Sequence, residues 1–413
     1  MSISSLKKFN SMFFKTIILF FTVFSIHLKA ISITPRIIVL AMVSIYILFF
    51  KKIKCSQDDI KWVLKCMFVL LFTWFSMYIN DAKQTTAELP ASSAFNFLVF
   101  VGIFPIILNE LFDDDTQFCT AMGAASTIQS VIVILSALTP RMRQFLQEIQ
   151  NIDFSRYNFR IYGLGVAGAG GSIYLFSGLF SFAYLIYRSK EIKIWLPLLY
   201  VINFIAIAFV GRTGFYAAIV ITVFIIVNLA MNNGKKTIAL FGWSFLIIVG
   251  IIMVYNFAVV ALNSNKLTLA YTFKRLWEGF NIKESKTFDK LNGWNKNLLP
   301  ISLRTVFWGT GIVRGYTYDG LFISHDGGYA KRYMSIGLVM AIYSYIIFYG
   351  YMKKILAKTR ESKSIISVCL IIMIFIEYKE PFMYQLALPF TVLMISKLKA
   401  KSENEGRMNE FSK

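Results

Sequence analysis

The chain alternates long apolar runs with short polar connections until one extended polar stretch breaks the pattern late. A helix that crosses a bilayer needs ~20 mostly apolar residues. Twelve runs meet or approach that length, near 12–28, 34–50, 62–80, 91–109, 119–138, 164–187, 194–211, 213–232, 237–262, 330–350, 364–378 and 382–397. The runs are continuous rather than alternating, which excludes an outer-membrane barrel. The last two are short and are separated only by Glu377, Tyr378, Lys379, Glu380 and Pro381, so they read as a tight helical hairpin or one re-entrant element. The only long segment without strong apolar character runs from Lys266 to Gly337. It carries Arg275, Trp277, Glu278, Trp294, Arg304, Trp308, Arg314, Asp319, His325, Asp326 and Arg332. The expected organisation is therefore residues 1–263 as spans one to nine, with an outer loop at 139–163. A large loop follows at 264–329, then spans ten to twelve at 330–401 and a disordered tail at 402–413.

Composition agrees with this class. Of 413 residues 57% are apolar and 16% charged, and soluble domains carry about 25% charged residues. The fold class expected is an all-α polytopic membrane protein. The net charge of +21 suggests nucleic acid only until the lysines are placed. Most sit at the ends of apolar runs, where they set topology. With the N-terminus in the cytoplasm, Lys51, Lys52, Lys54, Arg188, Lys190, Lys193, Lys235, Lys236, Lys353, Lys354, Lys358, Arg360, Lys397, Lys399 and Lys401 all fall inside. Both termini are then cytoplasmic. One connection fits poorly, because Glu110, Asp113, Asp114 and Asp115 make it acidic. The first apolar run lacks a small-residue cleavage site and is expected to stay as a signal anchor. None of the four cysteines lies in the large loop, so no disulfide framework is expected there.

Basic residues are normally scarce outside. Arg141, Arg143, Arg156, Arg160, Arg212, Arg275, Arg304 and Arg314 therefore need another reason, and an anionic substrate is one. The guanidinium fork donates two parallel hydrogen bonds to phosphate and stays charged. Arg212 stands in Gly211-Arg212-Thr213-Gly214 between two apolar runs. It reads either as a snorkelling interface anchor or as a phosphate ligand, with the glycines letting backbone approach. Arg160 opens a glycine-dense entry to a span, with glycines at 163, 165, 168, 170 and 171. Gly168 to Gly171 suit close helix packing. No strand precedes them, so this is not a nucleotide-binding fingerprint. His325-Asp326 precedes Gly327-Gly328. The pair is either part of a turn or a proton-transfer group for a sugar hydroxyl. A lone histidine without further ligands at metal spacing argues against a metal site. Arg275, Trp277 and Trp294 read first as anchors of amphipathic helices on the bilayer surface.

These residues make the chain resemble the Wzy-type O-antigen (oligosaccharide repeat-unit) polymerases and, more widely, the O-antigen ligase superfamily. Gly211-Arg212-Thr213-Gly214 is similar to a Ser-Arg-Gly type junction. Gly309-Thr310-Gly311, His325 and Gly337 follow a Gly-x-Gly, His, Gly order. Arg160 with Gly171, and Arg304 with Gly315, fit an Arg, ten residues, Gly pattern. The sequence departs at Lys290-Leu-Asn-Gly-Trp294, which has lysine where arginine is usual, and in having Asp326 after the histidine. The resemblance implies a GT-C-like fold with a large periplasmic loop between spans nine and ten, in the bacterial inner membrane. It implies a metal-independent glycosyltransferase that uses an undecaprenyl-pyrophosphate-linked oligosaccharide and no cofactor. His325 and Asp326 would be catalytic, and Arg160, Arg212, Arg304, Arg314 and Arg275 would bind pyrophosphate and glycan. Partners implied are the lipid bilayer and a chain-length regulator protein, and no nucleic acid. Two alternatives stay open. A ligase would share donor and fold but transfer the glycan to a lipid A core. A lipid-linked oligosaccharide flippase or other transporter would need charges within its spans, which are almost free of them.

Overall fold

The computed structural model describes residues 3–24, 26, 28–30, 35–51, 53, 55–82, 89–150, 161–165, 167–189, 191–232, 242, 245, 249–250, 253, 256, 302–316, 322–323, 327–359, 361–381 and 386–411. The described residues are almost entirely helical. Five helices are long and apolar enough to cross a membrane: Gln57–Ile79, Pro90–Leu108, Asp115–Leu138, Gly168–Arg188 and Arg212–Met231. Shorter apolar helices occupy Ser11–Val23, Pro35–Phe50 and Trp195–Val210. Two compact units result. One comprises Met1–Tyr46, Asp114–Glu284 and Ser367–Ile372, the other Ile47–Asp113, Ser285–Ile366 and Met373–Lys413. In chain order the helices are α1 (Ile3–Val23), α2 (Pro35–Phe50), α3 (Gln57–Ile79), α4 (Pro90–Leu108), α5 (Asp115–Leu138), α6 (Pro140–Ile149), α7 (Gly168–Arg188), α8 (Trp195–Val210) and α9 (Arg212–Asn232). After these come α10 (Leu303–Trp308), α11 (Gly328–Ile336), α12 (Leu338–Leu356), α13 (Lys363–Lys379) and α14 (Ala387–Phe411).

In the first unit α7 is the hub, packed against α5, α8 and α9. Its sequence explains why. Small residues on several faces let neighbouring backbones come close, and close packing is what holds helices together where lipid offers no hydrophobic gain. A Cβ at Gly178 would lie 1.9 Å from the Ser126 Cβ of α5, and one at Gly214 of α9 would lie 2.3 Å from the Ser172 carbonyl oxygen. One fully satisfied polar knot joins α5 to α8. Ser126 and Ser130 donate to Asn203 Oδ1 at 2.6 and 3.0 Å, and Asn203 Nδ2 donates to Thr127 Oγ1 and the Leu199 carbonyl at 2.9 and 2.8 Å. At one end, Asp114 caps α5 by accepting from the Gln117 amide at 2.7 Å, and Asp115 accepts from Tyr184 and Arg188 in the last turns of α7. The carboxylate sits at a helix start and the cation at a helix end, as the macrodipole favours.

In the second unit α3 packs against α4, α11 and α12, and α12 packs against α14. Pro105 has no N–H and clashes with the carbonyl four residues back. Helix α4 answers with a π-helical segment, Leu98–Ile103. The Trp62 indole donates to the buried Val101 carbonyl, four residues before the proline, at 3.2 Å. In the first turn of α3, Asp59 accepts from Tyr351 of α12 and Lys397 of α14. Trp62 stacks on the Tyr351 ring, with centroids 4.6 Å apart.

Three expectations change. The run 330–350 is not one helix, because Gly337 takes φ +83° and separates α11 from α12. The turn at 377–381 starts later, since α13 runs on through Lys379. Residues 402–411 are not disordered but continue α14, where Lys399 pairs with Glu403 at 3.3 Å and with Glu361 at 2.7 Å. The acidic connection has basic partners. Asp115 pairs with Arg188 in the first unit, and Glu110 pairs with Lys401 at 3.8 Å in the second. Each of these acids meets a residue from the clusters assigned to the inner side.

Candidate functional site

In the first unit the site is built from the segment just after Arg160. Tyr162 bridges to Ala167. Ser136 donates to the Tyr162 carbonyl at 2.6 Å, Gln129 to the Leu164 carbonyl at 2.8 Å, and the Gly165 amide to Gln150 Oε1 at 2.7 Å. Gly165 and Gly168 adopt φ +69° and +62°, a region that disfavours side chains. Burial pushes the Tyr162 phenol up, against the pull of Arg143. This pinned turn delivers the chain to the start of α7. There it meets the start of α9, since a Cβ at Gly211 would be 2.7 Å from the Gly168 carbonyl oxygen. The Gly214 amide donates to Ser172 Oγ at 2.9 Å. The two glycine-flanked stretches singled out in the sequence therefore meet at one end of this unit. Arg212 is half-buried at the first position of α9. Beside it Thr213 is 7% exposed, and its hydroxyl has no hydrogen-bond partner among the described residues. A buried hydroxyl without a partner is costly and marks a place where a ligand can repay the loss.

In the second unit, the described end of the large loop is not a free polar surface. Trp308 stacks on Phe72 of α3 at 5.5 Å and meets Phe75 edge-on. Gly309-Thr310-Gly311 caps α11, because the Thr310 and Gly311 amides donate to the Met334 and Ser335 carbonyls at 2.6 and 3.1 Å. Ser76 of α3 donates to the Trp308 and Ser335 carbonyls, and Asn80 to the Gly309 carbonyl. Arg304, exposed, donates to the Ile79 carbonyl at 2.6 Å. That contact caps the end of α3 and leaves most of the guanidinium donors to other uses. Arg314 is exposed next to β1 (Gly315–Tyr316), which pairs antiparallel with β2 (Phe322–Ile323).

Sequence reasoning passed over a buried ionisable cluster in this unit. Arg332 of α11 is 2% exposed, with the Phe97 and Tyr345 rings 5.9 and 5.6 Å away. Tyr345 donates to Glu377 Oε1 at 2.5 Å, and Glu377 is 0% exposed. Tyr329 donates to the Ile374 carbonyl at 2.9 Å, and burial together with the Glu377 carboxylate pushes its phenol up. The one available signal was the pair of charges, Arg332 and Glu377, in or beside apolar runs.

Of the residues expected to act, Arg212 lies in the first unit and Arg304 and Arg314 in the second. Arg160, Arg275, His325 and Asp326 lie outside the described residues. No protein-family model, curated protein or solved structure matches the chain. The fold alone defines the class as a helical protein compatible with several membrane passages.

Proposed function

We propose that the chain is an oligosaccharide repeat-unit polymerase of the O-antigen type. It transfers a glycan from undecaprenyl pyrophosphate to the terminal sugar hydroxyl of a second lipid-linked repeat unit. In this reading twelve helices of a GT-C-like fold cross the inner membrane, both termini are cytoplasmic, and the large loop is periplasmic. The acceptor oxygen bonds to the donor anomeric carbon while the bond from that carbon to phosphate oxygen breaks. The electron pair leaves with the pyrophosphate, and the acceptor proton passes to His325 or Asp326. Arginines offset the charge that grows on the leaving group. The observation that carries the reading is the Arg212 junction. A cation and an unpartnered buried Thr213 hydroxyl stand where the starts of α7 and α9 meet, directly after the turn that follows Arg160. Helix starts favour anions. The acid–base pairs Asp115–Arg188 and Glu110–Lys401 support the two-sided topology.

The test is complementation of a deletion strain with Arg212→Ala, Arg212→Lys, Arg160→Ala and Arg304→Ala, read as glycan ladders on gels. Alanine at 212 or 160 is expected to collapse the ladder to single repeats, with lysine at 212 restoring part of it. Full-length polymer from every variant, at normal protein level, removes the proposal. Unattached polymer in the deletion strain points to the ligase instead.

A further inference from the structure

We infer that Glu377 is a positioning residue for this reaction, working as a buried carboxylate that clasps the start of α11. The inference rests on the proposed glycosyl transfer. A Cβ at Gly328, the first residue of α11, would lie 2.5 Å from Glu377 Oε1 and 2.7 Å from the Pro381 Cα. A Cβ at Gly327 would lie 2.8 Å from the Tyr378 carbonyl oxygen. The end of α13 is thus moulded onto two consecutive glycines, and only glycine lets the chains come so near. Gly327 supplies no side-chain cap to α11. The free amides of that first turn carry partial positive charge, which the adjacent carboxylate offsets. Tyr345 of α12 holds the same carboxylate through its hydroxyl, and its ring also faces the Arg332 guanidinium. One buried anion therefore ties together α11, α12 and α13 of the second unit. Charges at such depth are expensive and are retained where they do something. Tyr345 of α12 donates to this carboxylate, and Tyr329 of α11 lies within its field.

Glu377→Gln keeps the shape and still accepts from the Tyr345 hydroxyl, so it separates charge from packing. Purified protein in lipid nanodiscs, with lipid-linked repeat units as substrate, should show kcat lowered about tenfold or more in this variant, the size of one charge-assisted hydrogen bond. KM should change little. Glu377→Asp should recover part of the rate. Thermal unfolding gives a readout that needs no activity, and Glu377→Gln should unfold at a lower temperature than wild type. A wild-type rate in Glu377→Gln overturns the inference. Inactive wild-type protein with the stability change present overturns the polymerase reading but not the clasp.

Discussion

The crossing of α5 and α7 gives a prediction whose size follows from the structure. Replacing Gly178 by alanine puts a methyl group 1.9 Å from the Ser126 Cβ and 2.3 Å from its Oγ. Ordinary carbon contact is about 3.5 Å, so the helices must part by roughly 1.6 Å or the backbone must distort. Overpacking of this kind costs about 1–3 kcal/mol, and the upper end applies because the obstacle is a Cβ rather than a movable chain end. Alanine returns about 1 kcal/mol of helix propensity. The clash wins, for a net loss of about 2 kcal/mol. Ser126→Gly alone should cost a comparable amount, through propensity and the 2.6 Å bond to Asn203 Oδ1. In the double variant the nearest remaining atom is the Ser126 Cα at 3.4 Å, an ordinary contact. The two changes should then fall short of their sum by about 1–3 kcal/mol. Thermal or denaturant unfolding of the purified protein, done as a full double-mutant cycle, measures this. Additive losses, or a Gly178→Ala protein as stable as wild type, refute the close crossing.

Three further outcomes are expected. Gly337→Ala should destabilise by about 2–4 kcal/mol, combining a left-handed φ of +83° with a Cβ placed 2.5 Å from the Phe307 carbonyl oxygen, and unfolding measurements check it. Lys397→Met should cost about 3–5 kcal/mol because Asp59, 11% exposed, keeps a buried charge without its cation; Asp59→Asn in the same chain should recover most of that in the same assay. Cys55 is exposed, while Cys66, Cys119 and Cys369 are buried, so a maleimide should label Cys55 alone in folded protein. Its thiol is pushed up by partial burial and by the Asp59 carboxylate. Because the thiolate reacts, labelling should be slow at neutral pH and rise about tenfold per pH unit. An impermeant reagent should reach it in inside-out vesicles and not in intact cells; labelling from outside contradicts the proposed orientation.

Much of the helical pattern was readable because long apolar runs with few charges form helices that keep away from water, whether against protein or lipid. The exceptions share a cause. Gly337 breaks a run that is continuous in hydropathy, and a dihedral angle leaves no trace in a window average. The run of α14 through 402–411 was missed because its polar residues look like a tail until Lys399 finds Glu361, 38 positions away. The contact of Arg304 with the Ile79 carbonyl was not legible either, since it depends on a fold that brings together residues 225 apart. The Arg212 junction was legible as a motif, whereas its meeting with the Gly168 turn was not, since nothing local pairs α7 with α9. The cluster around Glu377 was hidden by the same non-local pairing.

The interruption at Gly337 also sets a length. Nine residues of α11, Gly337 and nineteen of α12 would make one rod of 29 residues, or about 43 Å at 1.5 Å per residue. That exceeds a hydrocarbon layer of ~30 Å by a wide margin. With the chain redirected, α12 alone measures about 28 Å, close to the layer itself. A single dihedral thereby frees the Arg332 turn from having to lie in line with α12.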